Sequence, residues 1–240
     1  LQYLLKVAEG SDGFGIVRGE YEAVAALYAV APDFLPRPIG AETYISDPNR
    51  HFCLSEYVDM IEEVPNMQKF CASFAKMHRD SVSRSPKGQF GFHFVTYNEN
   101  KARDVTWCDT WEEMFLNSVR RRVSQERDAQ GPSTKLDQLL PALYGKVILR
   151  LLRALHTSDN KITPVVHGDV WYGNLASNAL TNEPIAFDQA TSWAHNELDV
   201  ANMTVPRFRL SRVWMHEYHK HFPISSPVED YEDHLKLYTM

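Results

Sequence analysis

The segment Val166-His167-Gly168-Asp169-Val170-Trp171-Tyr172-Gly173-Asn174, followed by Ile185-Ala186-Phe187-Asp188, constrains this chain more than any other. Thr163 to Val166 is short, apolar and β-branched, the pattern of a buried strand that runs into a polar loop. Leu175 and Ala176 resume an apolar run and Ser177 to Glu183 supplies turn residues. Pro184 to Phe187 then reads as a second strand ending at Asp188. A hairpin of this shape brings Asn174 and Asp188 together. Two acids and an amide at that spacing match the needs of phosphoryl transfer. One acid accepts a hydroxyl proton, while an amide oxygen and a second acid hold the magnesium ions that bridge nucleotide phosphates. Asp169 suits the first role, Asn174 and Asp188 the second. His-Gly-Asp alone would equally suit a surface turn; the full constellation points to a kinase-type site.

The remaining composition narrows the alternatives. The net charge of −6 offers no basic excess to meet a phosphate backbone, so nucleic acid is not an expected partner. Arg120-Arg121-Arg122, the basic run, falls on an expected helix and reads as a solvated face. No apolar stretch approaches the ~20 residues that cross a bilayer, so no membrane partner is expected, and no signal peptide is visible. Cys53, Cys71 and Cys108 lack metal-ligand spacing, and Cys53 and Cys71 sit in apolar-patterned segments as small core residues. A reducing, cytoplasmic setting follows.

Leu1 to Val7 reads as a strand already in progress, carrying Lys6, so the chain is expected to begin inside a fold. Gly19 to Val30 follows as a helix, and Pro32, Pro36 and Pro38 punctuate its exit. His51 to Val58 alternates like a strand. Met67, Phe70, Cys71, Phe74, Ala75 and His78 then recur on one helical face. Thr110 and Glu113 form a capping box opening a helix to about Arg127. Leu136 to Leu155 is the most periodic helix, and two more are expected from Pro206 and from the Ser226 to Glu229 capping box. This is an α+β, two-lobed plan: a truncated small β-rich lobe over residues 1–58 and a larger helical lobe over 59–240. The boundary is expected near Asp59 to Val64, and the catalytic hairpin belongs to the helical lobe.

A mid-strand lysine such as Lys6 needs a partner. In a kinase plan that partner is an acid on the next helix, and the pair positions the α- and β-phosphates. Glu20 and Glu22 are both candidates. The Gly10 to Gly15 run is not expected to cradle phosphates, because the phosphate-covering loop precedes the strand lysine; it reads as a flexible connection. Leu54 to Val58 leads into the inter-lobe linker, where Glu56 and Val58 would offer backbone groups to an adenine edge, although a plain core strand fits these residues nearly as well. Trp171 can stack on a sugar face or anchor the loop. His167 reads as a structural support of the loop. Asp199 opens a helix, where its carboxylate can either accept backbone N–H bonds from the catalytic loop or sit solvated in a first turn.

His167 to Asn174 resembles the His-Gly-Asp-Leu-Trp-x-Gly-Asn signature of the fructosamine kinase family, the ketosamine or protein-ribulosamine 3-kinases. Tyr3 to Val7, Gly19 to Glu22, Phe90 to Phe92, Thr110 to Glu113 and Tyr218 to Pro227 extend the likeness, to fungal members in particular. The resemblance implies the protein-kinase-like fold shared with aminoglycoside phosphotransferases. It also implies ATP- and Mg2+-dependent phosphorylation of a ketosamine, small or on a protein lysine, at the sugar 3-hydroxyl, a repair of glycation. It makes Asp169 the base, Asn174 and Asp188 the metal ligands, Lys6 and Glu20 the phosphate-positioning pair, and Trp171 a sugar contact. Tyr172 and Gln189 depart from the family's common residues. The rival expectations are another small-molecule kinase, of the aminoglycoside or choline type, and a catalytically inactive kinase-like binding module.

Overall fold

The computed structural model describes residues 2–61, 63–156 and 163–240. Leu1, assigned above to the first strand, and Glu62, within the expected lobe boundary, lie outside the described residues. Strand β1 (Tyr3–Glu9) opens the chain, Gly10 turns out of it at φ +88, and helix α1 (Gly13–Tyr28) follows. The helix thus starts before Gly19 and takes in Gly13 to Gly15, so the connection expected over the glycine run is confined to Gly10 to Asp12. A Cβ on Gly15 would lie 2.7 Å from the Tyr97 hydroxyl, and one on Gly19 would lie 2.4 Å from the Val95 carbonyl oxygen. The missing side chains let the segment around Val95 and Tyr97 press against the helix.

Strands β2 (Pro38–Tyr44) and β3 (Asp47–Glu56) complete an antiparallel sheet in the order β1-β3-β2. Lys6 stands opposite Cys53 in it. The sequence offers only proline punctuation where β2 lies. This strand begins at a proline, contains Gly40, and shifts register at Pro38/Gly40 and again at Thr43/Tyr44, so it carries no clean period-2 signal. After Tyr57 to Asp59, the short strand β4 (Met60–Ile61) follows.

Helix α2 (Met67–Ser81) is capped by the Asn66 side chain, which accepts the Lys69 N–H at 3.0 Å. Its Phe70 and Phe74 are fully buried and stack with ring centroids 5.2 Å apart; each buried ring stabilises by about 1.5–3 kcal/mol. A two-stranded hairpin, β5 (Tyr97–Asn98) and β6 (Lys101–Ala102), precedes helix α3 (Trp111–Gln130). Thr110 Oγ1 accepts the Glu113 N–H at 3.1 Å, which fixes the start of α3. The expected Leu136 to Leu155 helix is interrupted. Helix α4 (Thr134–Ala142) contains Pro141. The chain then widens into a π-turn over Leu143–Val147, where the Ile148 N–H reaches back to the Leu143 carbonyl, before α5 (Ile148–Leu152). A proline removes one helical donor and crowds the preceding turn, so the ladder loosens around it.

The catalytic segment supplies four short strands, β7 (Val165–Val166), β8 (Leu175–Asn178), β9 (Pro184–Ala186) and β10 (Ser192–Trp193). β8 pairs with both β9 and β4, tying residues 60–61 to the catalytic hairpin, and β7 pairs with β10. Helices α6 (Glu197–Asn202), α7 (Arg212–His219) and α8 (Tyr231–Tyr238) complete the fold. Two helix starts differ from the expectation. Pro206 opens only a 3-10 turn to Phe208, because Arg209 turns left-handed at φ 54 and α7 begins afresh. Val228–Asp230 is likewise a 3-10 turn ahead of α8. One core unites α2, α3, α5, α6, α7 and α8 with the strands of the catalytic segment. Among the described residues no helix is long and apolar enough to cross a membrane.

Candidate active site

The loop from His167 to Asn174 leaves the fully buried strand β7 and is held from behind. Gly168 adopts φ +83, and a Cβ there would lie 2.0 Å from the Ala190 carbonyl oxygen, so only glycine fits. Asp199, fully buried on α6, accepts the His167 N–H at 2.7 Å and the Gly168 N–H at 2.8 Å. Its Oδ2 also lies 3.2 Å from His78 Nε2. Burial works against the carboxylate, but the His78 hydrogen bond and the backbone donors hold it below the usual range. His167 is buried too. Its Nδ1 accepts the Asp169 N–H at 3.3 Å and its Nε2 donates to the Phe187 carbonyl at 3.1 Å, which requires a neutral ring. Burial depresses its pKa accordingly.

Asn174 joins the two acids of the site. Its Nδ2 donates to the Asp169 carboxylate at 3.1 Å and to the Asp188 carbonyl at 3.2 Å. Its Oδ1 has no hydrogen-bond partner among the described residues. Asp188 sits just beyond β9 in a left-handed conformation at φ 54, one that Asp tolerates better than most residues. Lys6 reaches across from the small sheet and bonds Asp188 and Glu20, the latter at 2.6 Å. Glu22 is committed elsewhere, to Arg18 one helical turn away and to His93 at 2.8 Å. Burial opposes the charge on Lys6, but Glu20 and Asp188 raise its pKa. Asp169 shifts upward because burial outweighs the Asn174 hydrogen bond, which makes it a stronger proton acceptor.

Two cavities meet at Lys6, Glu20, Asp188 and Gln189. The first, about 590 Å³, has apolar walls that include Leu4, Val24, Leu175 and Phe187, and it runs along Glu56, Tyr57 and Val58. The Glu56 N–H is spent on the Arg37 carbonyl at 2.9 Å, so Glu56 can offer this cavity its carbonyl. The Val58 N–H makes no hydrogen bond among the described residues. The second cavity, about 710 Å³, contains Asp169, Asn174 and Trp171, with Ile16, Tyr97, Glu99, Arg207 and Phe208 around them. The Trp171 indole lies over Gly173, where a Cβ would come within 2.3 Å of the ring, and stands edge-on to Tyr172 with centroids 4.9 Å apart.

Several of these residues carried no signal in the sequence. The hairpin residues Tyr97 and Glu99 are separated from the loop by α3, α4 and α5, and Arg207 belongs to a turn that read as helix. Gln189 is buried between the cavities with both amide atoms unpartnered among the described residues. Arg103 has a buried Nη1, also unpartnered, that lies against Gly168. Burial pushes its pKa down to about 10. Nothing in its sequence neighbourhood marked it.

A chloroplastic protein-ribulosamine 3-kinase of Arabidopsis thaliana is 24% identical over 233 residues, which is 96% of this chain but 66% of that relative. The chain therefore spans about two thirds of its length. Among solved structures, a fructosamine-3-kinase homologue of Haemophilus somnus superposes with a TM-score of 0.72 at 16% identity, covering 99% of this chain and 73% of the other. A thermostable aminoglycoside phosphotransferase in ternary complex with AMP-PNP and hygromycin B superposes at 0.55 with 13% identity, covering 98% and 75%. The fold is thus protein-kinase-like, a small strand-rich part followed by a helical one. The family model for fructosamine kinase matches residues 1–240, and the chain belongs to that family.

Proposed function

We propose that this chain is the catalytic core of an ATP- and magnesium-dependent kinase that phosphorylates ketosamines, the fructosamine and ribulosamine adducts of lysine, at the sugar 3-hydroxyl. One observation carries the reading: Asp169, Asn174, Asp188 and Lys6 converge where an apolar cavity meets a polar one. The apolar cavity suits a purine, with the Glu56 carbonyl and the Val58 N–H on its edge. The residues present also fit a hard cation. The Asn174 Oδ1 is open among the described residues and the Asp188 carboxylate lines the same cavity, an all-oxygen donor set of the kind magnesium takes. When bound, the metal neutralises charge on the nucleotide phosphates.

Lys6, oriented by Glu20, positions the phosphates. Asp169 takes the proton of the acceptor hydroxyl, with Asn174 orienting its carboxylate and with His167 and Asp199 fixing the loop. Trp171 lies against the sugar. We place the division between the lobes after residue 58 and the site of action in the cytoplasm, where three free buried thiols are at home.

The test uses the full-length protein, labelled ATP, and glycated lysine set against an aminoglycoside and choline. Transfer to glycated lysine is expected, and transfer only to the other two would replace this reading. Asp169→Ala should abolish turnover and spare nucleotide binding, whereas Asp188→Ala should also weaken magnesium-dependent binding. Identical behaviour of the two variants would mean the roles are misassigned.

A further inference from the structure

The polar cavity holds more charge than phosphoryl transfer requires. Its walls carry four acids, Glu20, Glu99, Asp169 and Asp188, and two cations, Lys6 and Arg207. Most are committed: Lys6 to Glu20 and Asp188, Asp169 to Asn174. Among the described residues, Glu99 and Arg207 form no ion pair and no side-chain hydrogen bond.

Both are nevertheless held in place. Glu99 occupies the tip of the β5–β6 hairpin at φ 53, and the base of that hairpin is pressed onto α1 through Tyr97 against Gly15 and Gly19. Arg207 follows Pro206 in the 3-10 turn, and its guanidinium stacks on the Phe208 ring at 5.1 Å. Arg209, closing the same turn, lies 4.5 Å over the Tyr172 ring, which ties the turn to the catalytic loop. An uncommitted acid and an uncommitted arginine therefore line the cavity of Asp169 from two anchored turns.

A ketosamine presents a protonated secondary amine beside its sugar. If the parent amine belongs to a free amino acid, the molecule also presents a carboxylate; in a polypeptide that carboxylate is consumed by the peptide bond. We propose that Glu99 receives the ammonium of the acceptor and Arg207 its carboxylate, so that the acceptors of this kinase are ketosamines of free amino acids. The planar guanidinium matches a carboxylate through two parallel hydrogen bonds. An acceptor within a protein satisfies Glu99 but leaves Arg207 to be covered without a partner, which disfavours it. This inference rests on the ketosamine reading above and deepens it.

A matched pair of acceptors tests it: Nα-acetyl-Nε-fructosyl-lysine and the carboxamide of the same compound, assayed with the full-length protein. The carboxylate form should be favoured by about tenfold or more in kcat/KM, chiefly through KM, as expected for one charge-assisted pair. Arg207→Gln should bring that ratio to about one, and Arg207→Lys should restore part of it. Glu99→Gln should weaken both acceptors alike and leave the ratio unchanged. Turnover of both compounds at equal efficiency, or a ratio that survives Arg207→Gln, overturns the inference and leaves the ketosamine reading standing. No transfer to either compound by the unmodified protein overturns both.

Discussion

Replacing Asp199 by asparagine should loosen the catalytic loop more than any exchange of similar size elsewhere in the molecule. The carboxylate is fully buried and meets three donors: the N–H groups of His167 and Gly168 at 2.7 and 2.8 Å, and His78 Nε2 at 3.2 Å. Asparagine keeps one acceptor oxygen and puts a donor where the other stood. If its oxygen faces Gly168, its amide confronts the His167 N–H and the imidazole. Hydrogen bonds to a charged acceptor contribute about 1.5–3 kcal/mol each, and a buried donor left unpaired costs about 1–3 kcal/mol. With two contacts affected, the expected loss is about 3–5 kcal/mol. Urea titration followed by tryptophan fluorescence measures it, as a lower midpoint with an unchanged slope. Phosphotransfer, measured where the variant is still fully folded, should fall by about a hundredfold, since a shift of about 1 Å in a catalytic group is enough for that. A loss below about 1 kcal/mol, the range of an ordinary surface exchange, together with near-normal turnover would refute the view that Asp199 holds Asp169 in place.

Gly168→Ala combines a left-handed backbone with a Cβ 2.0 Å from the Ala190 carbonyl oxygen; a loss above about 3 kcal/mol is expected in the same titration, and tolerance of the substitution would contradict the loop geometry. Gln189→Met keeps the side-chain length and removes two buried amide atoms without partners among the described residues, so stability in the same titration should hold or rise by about 1–2 kcal/mol at most; a clear fall would mean the amide is satisfied by ordered water. Burial lowers the pKa of His195 from 6.5 to about 4, and those of His167 and His219 also fall. These rings stay neutral in the fold while the unfolded chain binds protons first. Stability is therefore full above about pH 6.5 and declines toward pH 4, His195 alone contributing up to about 3 kcal/mol. Urea midpoints at pH 7, 6 and 5 measure the decline, and a flat series would rule it out.

Much of the site was legible because its signals are local. The β-branched run before His167 becomes β7, which pairs with β10, while the polar residues after Ala176 and the apolar run to Phe187 declare the β8–β9 hairpin over a few residues each. The Phe70 and Phe74 face of α2 and the Thr110 cap of α3 were readable for the same reason: a helical face repeats every 3–4 residues, and a cap spans four. Elsewhere the local signal is blurred. Strand β2 carries a proline, a glycine and two register shifts, and α4 and α5 share one leucine stripe although Pro141 opens the helix between them.

What periodicity leaves open is which distant groups meet. By residue type alone Glu20 and Glu22 are equivalent partners for Lys6; the fold gives Glu22 to Arg18 and His93 and leaves Glu20 to the lysine. The Lys6–Asp188 pair joins residues 182 positions apart, and Asp199 finds His78 from 121 positions away. The charge at Glu99 and Arg207 gains a meaning only when a hairpin and a turn are packed around the same cavity. The sequence by itself determined the β8–β9 hairpin, the cap of α3 and the buried face of α2, because each is settled by the backbone preferences and side-chain spacing of neighbouring residues. Only the tertiary structure decided the pairings of charge across the cleft, because burial brings those groups together and leaves each buried charge in need of whichever partner the packing places beside it.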